Sequence, residues 1–305
     1  MFNKLRRYYN QNRRKIWKVI GICAFVIIII QIANYWAGQS LKKDNDKPAV
    51  SKKDEYQRES IISDKKIEEK VAKQNNKTID EFVQYCNDGK IESAYAMLTD
   101  ECKTALYKNI ENFKNYYYNR IFTTKKLYTK ENWYSDDNLV TYRVVYTNDI
   151  LADGIEKSDE TFGDYITVVK DKEQYKLNIG QFINYKEIDK IYENSDIKIE
   201  IISAKIFRMY EIYSIKFYNK TNGEIYLYDT QIDSNLNWHL EDKESNKAKV
   251  AISEVPGSYL KIESEMTQNI EAKFTKTYNP DKKTKKIVFE NININGNLNK
   301  IEIDL

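Results

Sequence analysis

The spacing of apolar residues changes three times along the chain, and each change predicts a different element. Residues 16–37 read IWKVIGICAFVIIIIQIANYWA, an almost unbroken apolar run. As a helix, about 22 residues would span roughly 33 Å, enough for the hydrocarbon core of a bilayer. Ile16, Trp17, Ile27, Ile28, Ile29 and Ile30 belong to its apolar body, and Tyr35 and Trp36 suit an interfacial aromatic belt. The run is long for a signal-peptide core, and no small-x-small cleavage site follows at the right spacing, so a retained anchor is expected. Cys23 would be a lipid-facing or helix-packing thiol.

Residues 38–62 are polar and charged, with Pro48, and read as a tether. From residue 63 the period becomes helical: Ile67, Val71, Ile79, Phe82, Val83 and Cys86 recur near 3.6-residue spacing. Asn87-Asp88-Gly89 is a stop signal, with glycine where a positive φ is tolerated. A second helix over 91–98 carries Ala94, Tyr95 and Leu98 on one face. Thr99-Asp100 can cap a third with Cys102, Leu106 and Tyr107, and residues 113–118 continue the helical region.

The period then drops to two. Residues 126–133, 139–147, 164–170 and 174–179 alternate or are rich in β-branched and aromatic residues. Helices followed by an antiparallel meander predict an α+β domain. Further strands are expected over 197–207, 211–218, 224–229, 238–241, 248–253, 259–263, 269–275, 286–294 and 300–304. Turns at 219–223, Pro256-Gly257 and Asn279-Pro280 separate them. Many short strands at this spacing suggest a β-sandwich. The expected division is a cytoplasmic basic stub over 1–15, the membrane helix over 16–37, the tether over 38–62, the α+β domain over 63–185 and the sandwich over 186–305.

Charge changes this picture by its location. The net charge is +3, yet Lys4, Arg6, Arg7, Arg13, Arg14, Lys15 and Lys18 all lie in or before the start of the apolar run, with no acidic residue among them. Without these seven the remainder carries about −4. Such a flank holds its end in the cytoplasm, so Arg6, Arg7, Arg13, Arg14 and Lys15 are topogenic, and the folded portion is expected outside the cell membrane. No basic face is evident there, so no nucleic acid is expected as a partner. Lys exceeds Arg, and Tyr reaches 25, a bias that resembles low-GC Gram-positive bacteria.

Candidate chemistry is sparse. The chain has one histidine, His239, beside Trp238 in a predicted strand with no cysteine nearby, and a structural or surface role outweighs a catalytic or metal-binding one. No HExxH, paired CxxC, glycine-rich phosphate loop or GxSxG occurs, so no cofactor or metal and no catalytic residue is assigned. Cys86 and Cys102 lie on successive predicted helices. A disulfide between them would close a loop of about 15 residues and contribute roughly 3 kcal/mol. Two buried free thiols are the alternative. Tyr116-Tyr117-Tyr118 suits either a groove or, more commonly, core packing.

The block TIDEFVQYCNDGKIESAYAMLTDECKTALY (78–107), with FKNYYYNRIF (113–122) and YKLNIGQF (175–182), resembles the nuclear transport factor 2-like fold. YEIYSIKFYNKTNGEIYLYD (210–229), PGSYLKIE (256–263) and FTKTYNPDKKTKKIVFENI (274–292) resemble an immunoglobulin-like accessory module. The resemblance implies a cone of helices on a curved antiparallel sheet, then an immunoglobulin-like sandwich, behind a transmembrane helix. The layout is similar to TcpC-type proteins of Gram-positive conjugative elements. It implies a single-pass, membrane-anchored scaffold, not an enzyme, whose extracellular domains bind envelope proteins, among them conjugation or secretion channel components. A second copy of the chain is a further candidate partner. The alternative is a small-ligand or cell-wall binding module using the cone's cavity. An enzyme moving a proton through Asp164 and Tyr165 ranks below both.

Overall fold

The helical period that begins near Ile67 builds α1 (Glu69–Asn87), which buries Ile79, Phe82, Val83 and Cys86. It stops at the expected glycine. Gly89 has φ 70°, and the N–H groups of Asp88, Gly89 and Lys90 donate to the carbonyls of Gln84, Cys86 and Tyr85 at 2.9, 3.1 and 2.8 Å. Short helices follow: α2 (Ile91–Ala96), α3 (Asp100–Leu106), α4 (Ile110–Phe113) and α5 (Asn119–Ile121), the last two joined by a π-helical turn, Lys114–Tyr118. Thr99 caps α3, its hydroxyl accepting from the Cys102 N–H at 2.9 Å. The computed structural model describes residues 57–63, 65–136, 138–149, 161–171, 174–231, 236–251 and 257–305.

These helices cover one face of an antiparallel sheet ordered β1 (Lys126–Ser135), β2 (Leu139–Asn148), β3 (Phe162–Asp171), β4 (Gln174–Asn178). Alternate residues of β2, namely Val140, Tyr142, Val144 and Tyr146, turn inward with Ile166 and Val168 of β3. They meet Phe82, Phe113, Tyr117 and Phe122 in one core. The chain then builds two more sheets. One is ordered β12 (Thr267–Thr275), β7 (Tyr210–Asn219), β6 (Ile197–Phe207), β5 (Phe182–Glu193). The other runs β10 (Lys247–Lys249), β9 (Asn237–Asp242), β13 (Thr284–Ile294), β8 (Ile225–Tyr226), β11 (Lys261–Ile262), with β14 (Asn297–Asp304) also paired to β13. Their inner faces share a second core around Ile199, Phe217, Trp238, Phe274 and Phe289.

A third, smaller cluster ties the outer face of the first sheet to the later strands. Trp133, Tyr134 and Ile183 are buried there with Tyr165 and Tyr278 packed against them. Trp133 meets Tyr165 edge-on at 4.8 Å, and the Arg208 guanidinium lies 4.3 Å over the Tyr165 ring.

This architecture corrects the expected fold class. About half of the described residues lie in strands, and every helix after α1 has seven residues or fewer. The protein is mainly β, in place of a helical cone on a curved sheet followed by an immunoglobulin-like sandwich. The cause is visible at β5. It is a 12-residue strand on the edge of a sheet, absent from the sequence reading, and the boundary drawn at 185/186 falls inside it. The single-pass transmembrane description is corrected as well: among the described residues no helix is long and apolar enough to cross a membrane. The predicted span at 16–37, with Ile16, Trp17, Ile27 to Ile30, Tyr35 and Trp36, and the basic flank of Arg6, Arg7, Arg13, Arg14 and Lys15 lie outside the described residues. The nuclear transport factor 2-like, immunoglobulin-like, extracellular-domain, conjugation and Gram-positive descriptions have no support in this fold.

Candidate functional site

Asp164 is the third residue of β3 and is fully buried. Its Oδ1 accepts from the Tyr165 N–H at 2.7 Å and the Gln181 N–H at 3.0 Å. Its Oδ2 accepts from the Tyr117 hydroxyl at 2.9 Å and the Gly180 N–H at 3.1 Å. Burial raises its pKa above the usual carboxylate range, and these hydrogen bonds offset part of that rise. Gly180 and Gln181 both have positive φ, 66° and 65°, and form the turn that carries the chain from β4 into β5. Asp164 therefore fastens the point where the chain leaves the first sheet for the second.

The surroundings are closed. Phe113, Tyr117, Phe122 and Tyr146 occupy the space between helices and sheet, with Phe113 stacked on Tyr117 at 5.7 Å and Phe122 edge-on to Tyr146 at 5.4 Å. Tyr165, named with Asp164 in the sequence reading, points to the opposite face, against Trp133. Adjacent residues of a strand alternate faces, so the two cannot share a cavity. Of the tyrosine triplet, Tyr117 is buried on Asp164, Tyr118 stacks on Phe122 at 5.9 Å, and Tyr116 is exposed.

Cys86 and Cys102 are both buried and both free, in the same core. Burial pushes the Cys102 thiol up to about 12 and the Cys86 thiol well above its ordinary value, so neither is a reactive thiolate near neutrality. His239 is buried in β9, its Nε2 3.0 Å from Glu241 Oε1. Among the described residues no group of His, Cys, Asp and Glu side chains is placed to hold a metal ion.

An open recess lies where α1 begins above the sheet. Its volume is about 430 Å³. Ile67 and Val71 from the helical side and Val140 and Val168 from the sheet give it an apolar floor. The Asn75 amide, itself buried, adds a polar group beside Tyr142, 3.4 Å away. Lys65 pairs with Asp136 at 2.9 Å, and both belong to the lining. The arrangement suits a small ligand with an apolar body and a polar end.

The sequence reading passed over a second buried polar group. Glu211 of β7 is met by the Lys276 ammonium at 3.0 Å and by the hydroxyls of Tyr213 and Thr284 at 2.8 and 2.9 Å. A signal was present: Glu211 and Tyr213 precede Ile215 and Phe217 on the inward face of an alternating strand, where a charge requires a partner. Compared with family models, curated proteins and solved structures, the chain matches none of them, and the resemblance drawn above rests on its residue blocks alone.

Proposed function

We propose that the protein is a non-enzymatic assembly protein of the cell envelope that binds partner proteins through its surface. One observation carries this reading. The deeply buried carboxylate of the helical half is fully engaged by four protein donors and walled in by aromatic rings, which leaves it no place for a substrate. Recognition then belongs to the exterior, where Ile61, Tyr116 and Leu127 are among the exposed apolar side chains. The location at the cell membrane, with the N-terminus inside, rests on the basic flank of the sequence. Cross-linking of the full chain in intact cells tests the reading. Reproducible capture of the same envelope proteins is expected; their absence across several growth conditions overturns it.

The recess at the start of α1 favours a second reading, a binding module for a small amphipathic ligand. Its apolar floor and buried Asn75 amide support it. Val140→Lys would fill the recess with a charged chain. Loss of a co-purifying ligand from that variant, with the cross-linked partners retained, would favour the second reading over the first.

A further inference from the structure

A separate cavity of about 340 Å³ opens beside the cluster that joins the first sheet to the later strands. Four lysines contribute to its wall: Lys186 from β5, Lys276, and Lys283 and Lys285 around the start of β13. Lys276 is engaged by Glu211. Among the described residues the ammonium groups of Lys186, Lys283 and Lys285 have no ion-pair or hydrogen-bond partner. The wall's carboxylates do not balance them. Glu211 is taken by Lys276, Tyr213 and Thr284, and Asp136 is paired with Lys65, leaving Glu187 and the backbone carboxyl of Leu305 against three ammonium groups.

Neutral donors point to the same chemistry. The Asn184 and Asn279 side-chain carbonyls accept from the N–H groups of Tyr185 and Asp281, each at 2.9 Å. Their amide NH₂ groups are thereby left as donors in a wall already rich in amines. Lys186 feels this crowding. Loss of solvent lowers its pKa below the ordinary lysine value, Glu211 opposes that, Lys283 and Lys276 lower it further, and Asp136 opposes again. An unpaired amine held among like charges gains when an anion arrives.

Size and donor type narrow the ligand. A cavity of about 340 Å³ accommodates a small anion or a lipid headgroup. Several point-like ammonium groups with amide donors match the many acceptor oxygens of a phosphate better than the single flat face of a carboxylate. We propose that this cavity binds a small phosphate-bearing anion, free or as the headgroup of an anionic lipid, through Lys186, Lys283 and Lys285. The site stands apart from the partner-binding reading above and survives its failure.

Calorimetric titration of the full chain tests the site, with inorganic phosphate, inorganic pyrophosphate and short-chain phosphatidylglycerol below its micelle concentration as probes. Short-chain phosphatidylcholine is the control. Saturable binding is expected, weakened about tenfold by Lys186→Gln and again by Lys283→Gln. Pyrophosphate binding lost in these variants identifies a free anion as the ligand. Preference for phosphatidylglycerol over pyrophosphate, with the same losses, identifies a lipid headgroup. Because these amines hold no protein partner, the melting temperatures of the variants should match the parent. If Lys186→Gln does not fold, Lys283→Gln and Lys285→Gln carry the test. No saturable binding of any probe, or binding unchanged by the lysine substitutions, overturns the proposal.

Discussion

The helical half and the later strands each bury a carboxylate at a joint in the fold, and they satisfy it in opposite ways. Asp164 has no cation among its hydrogen-bond partners, only a tyrosine hydroxyl and three backbone N–H groups. Glu211 faces the Lys276 ammonium as well as two hydroxyls. The two carboxylates therefore serve different ends. Two of its four neutral donors are the amides of the Gly180-Gln181 turn between β4 and β5, so the Asp164 carboxylate fixes the geometry of that turn. An ion pair on the inner side of β7 instead cancels a charge that packing has forced inward. Neither arrangement leaves a carboxylate available to a substrate.

The largest effect should come from breaking the pair. Glu211→Ala would strand the Lys276 ammonium, and removal of one partner of a buried pair costs about 3–5 kcal/mol. Replacement of both, as Glu211→Met with Lys276→Met, should recover most of that loss in urea unfolding. A cost for Glu211→Ala below about 1 kcal/mol would mean that the pair is effectively solvated.

Asp164→Asn comes next. It turns one acceptor oxygen into a donor facing donors, at a cost of about 2–3 kcal/mol. The pH dependence has a definite sign. Asp164 has a folded pKa above its unfolded one, so the folded state keeps a proton that the unfolded chain has already released. Wild-type stability relative to Asp164→Asn should fall as pH rises from the usual carboxylate range through the raised pKa, then level off. A gap that widens over that window would contradict the raised pKa.

Gly180→Ala probes the same latch from the turn. A β-carbon there would lie 2.7 Å from the Tyr107 hydroxyl oxygen on a backbone with φ 66°, so a loss of about 2 kcal/mol is expected in thermal unfolding. Thr99→Ala removes a helix cap and also the hydroxyl's 2.5 Å hydrogen bond to the buried Asn178 side chain, and should cost about 1–2 kcal/mol. If Thr99→Ala cost more than Asp164→Asn, the latch would not be the dominant polar feature of this half.

Much of the fold was legible because local pattern and tertiary role agree. The alternating apolar residues of β6, β7 and β13 mark their buried faces, and Gly89 and Thr99 bound helices where their chemistry requires. β5 was not legible. Phe182–Glu193 carries Lys186, Glu187, Asp189 and Lys190 through two bulges, so its period is broken and its charges read as loop. Charges of this kind blunt an exposed sheet edge. The candidate pair Asp164 and Tyr165 failed on information the sequence already held, since neighbours in a strand face opposite ways. The recess below α1 and the lysine-lined cavity bring together residues far apart in the chain, and no local period marks them.

Asp164 is a sealed latch in this fold, and amide hydrogen exchange at Gly180 and Gln181 probes the seal. Both amides should exchange only through global unfolding, with protection matching the unfolding free energy, and should lose that protection in Asp164→Asn. Exchange of either amide through shallow local opening, in the wild-type chain under native conditions, would mean that the carboxylate is accessible and the latch is not sealed.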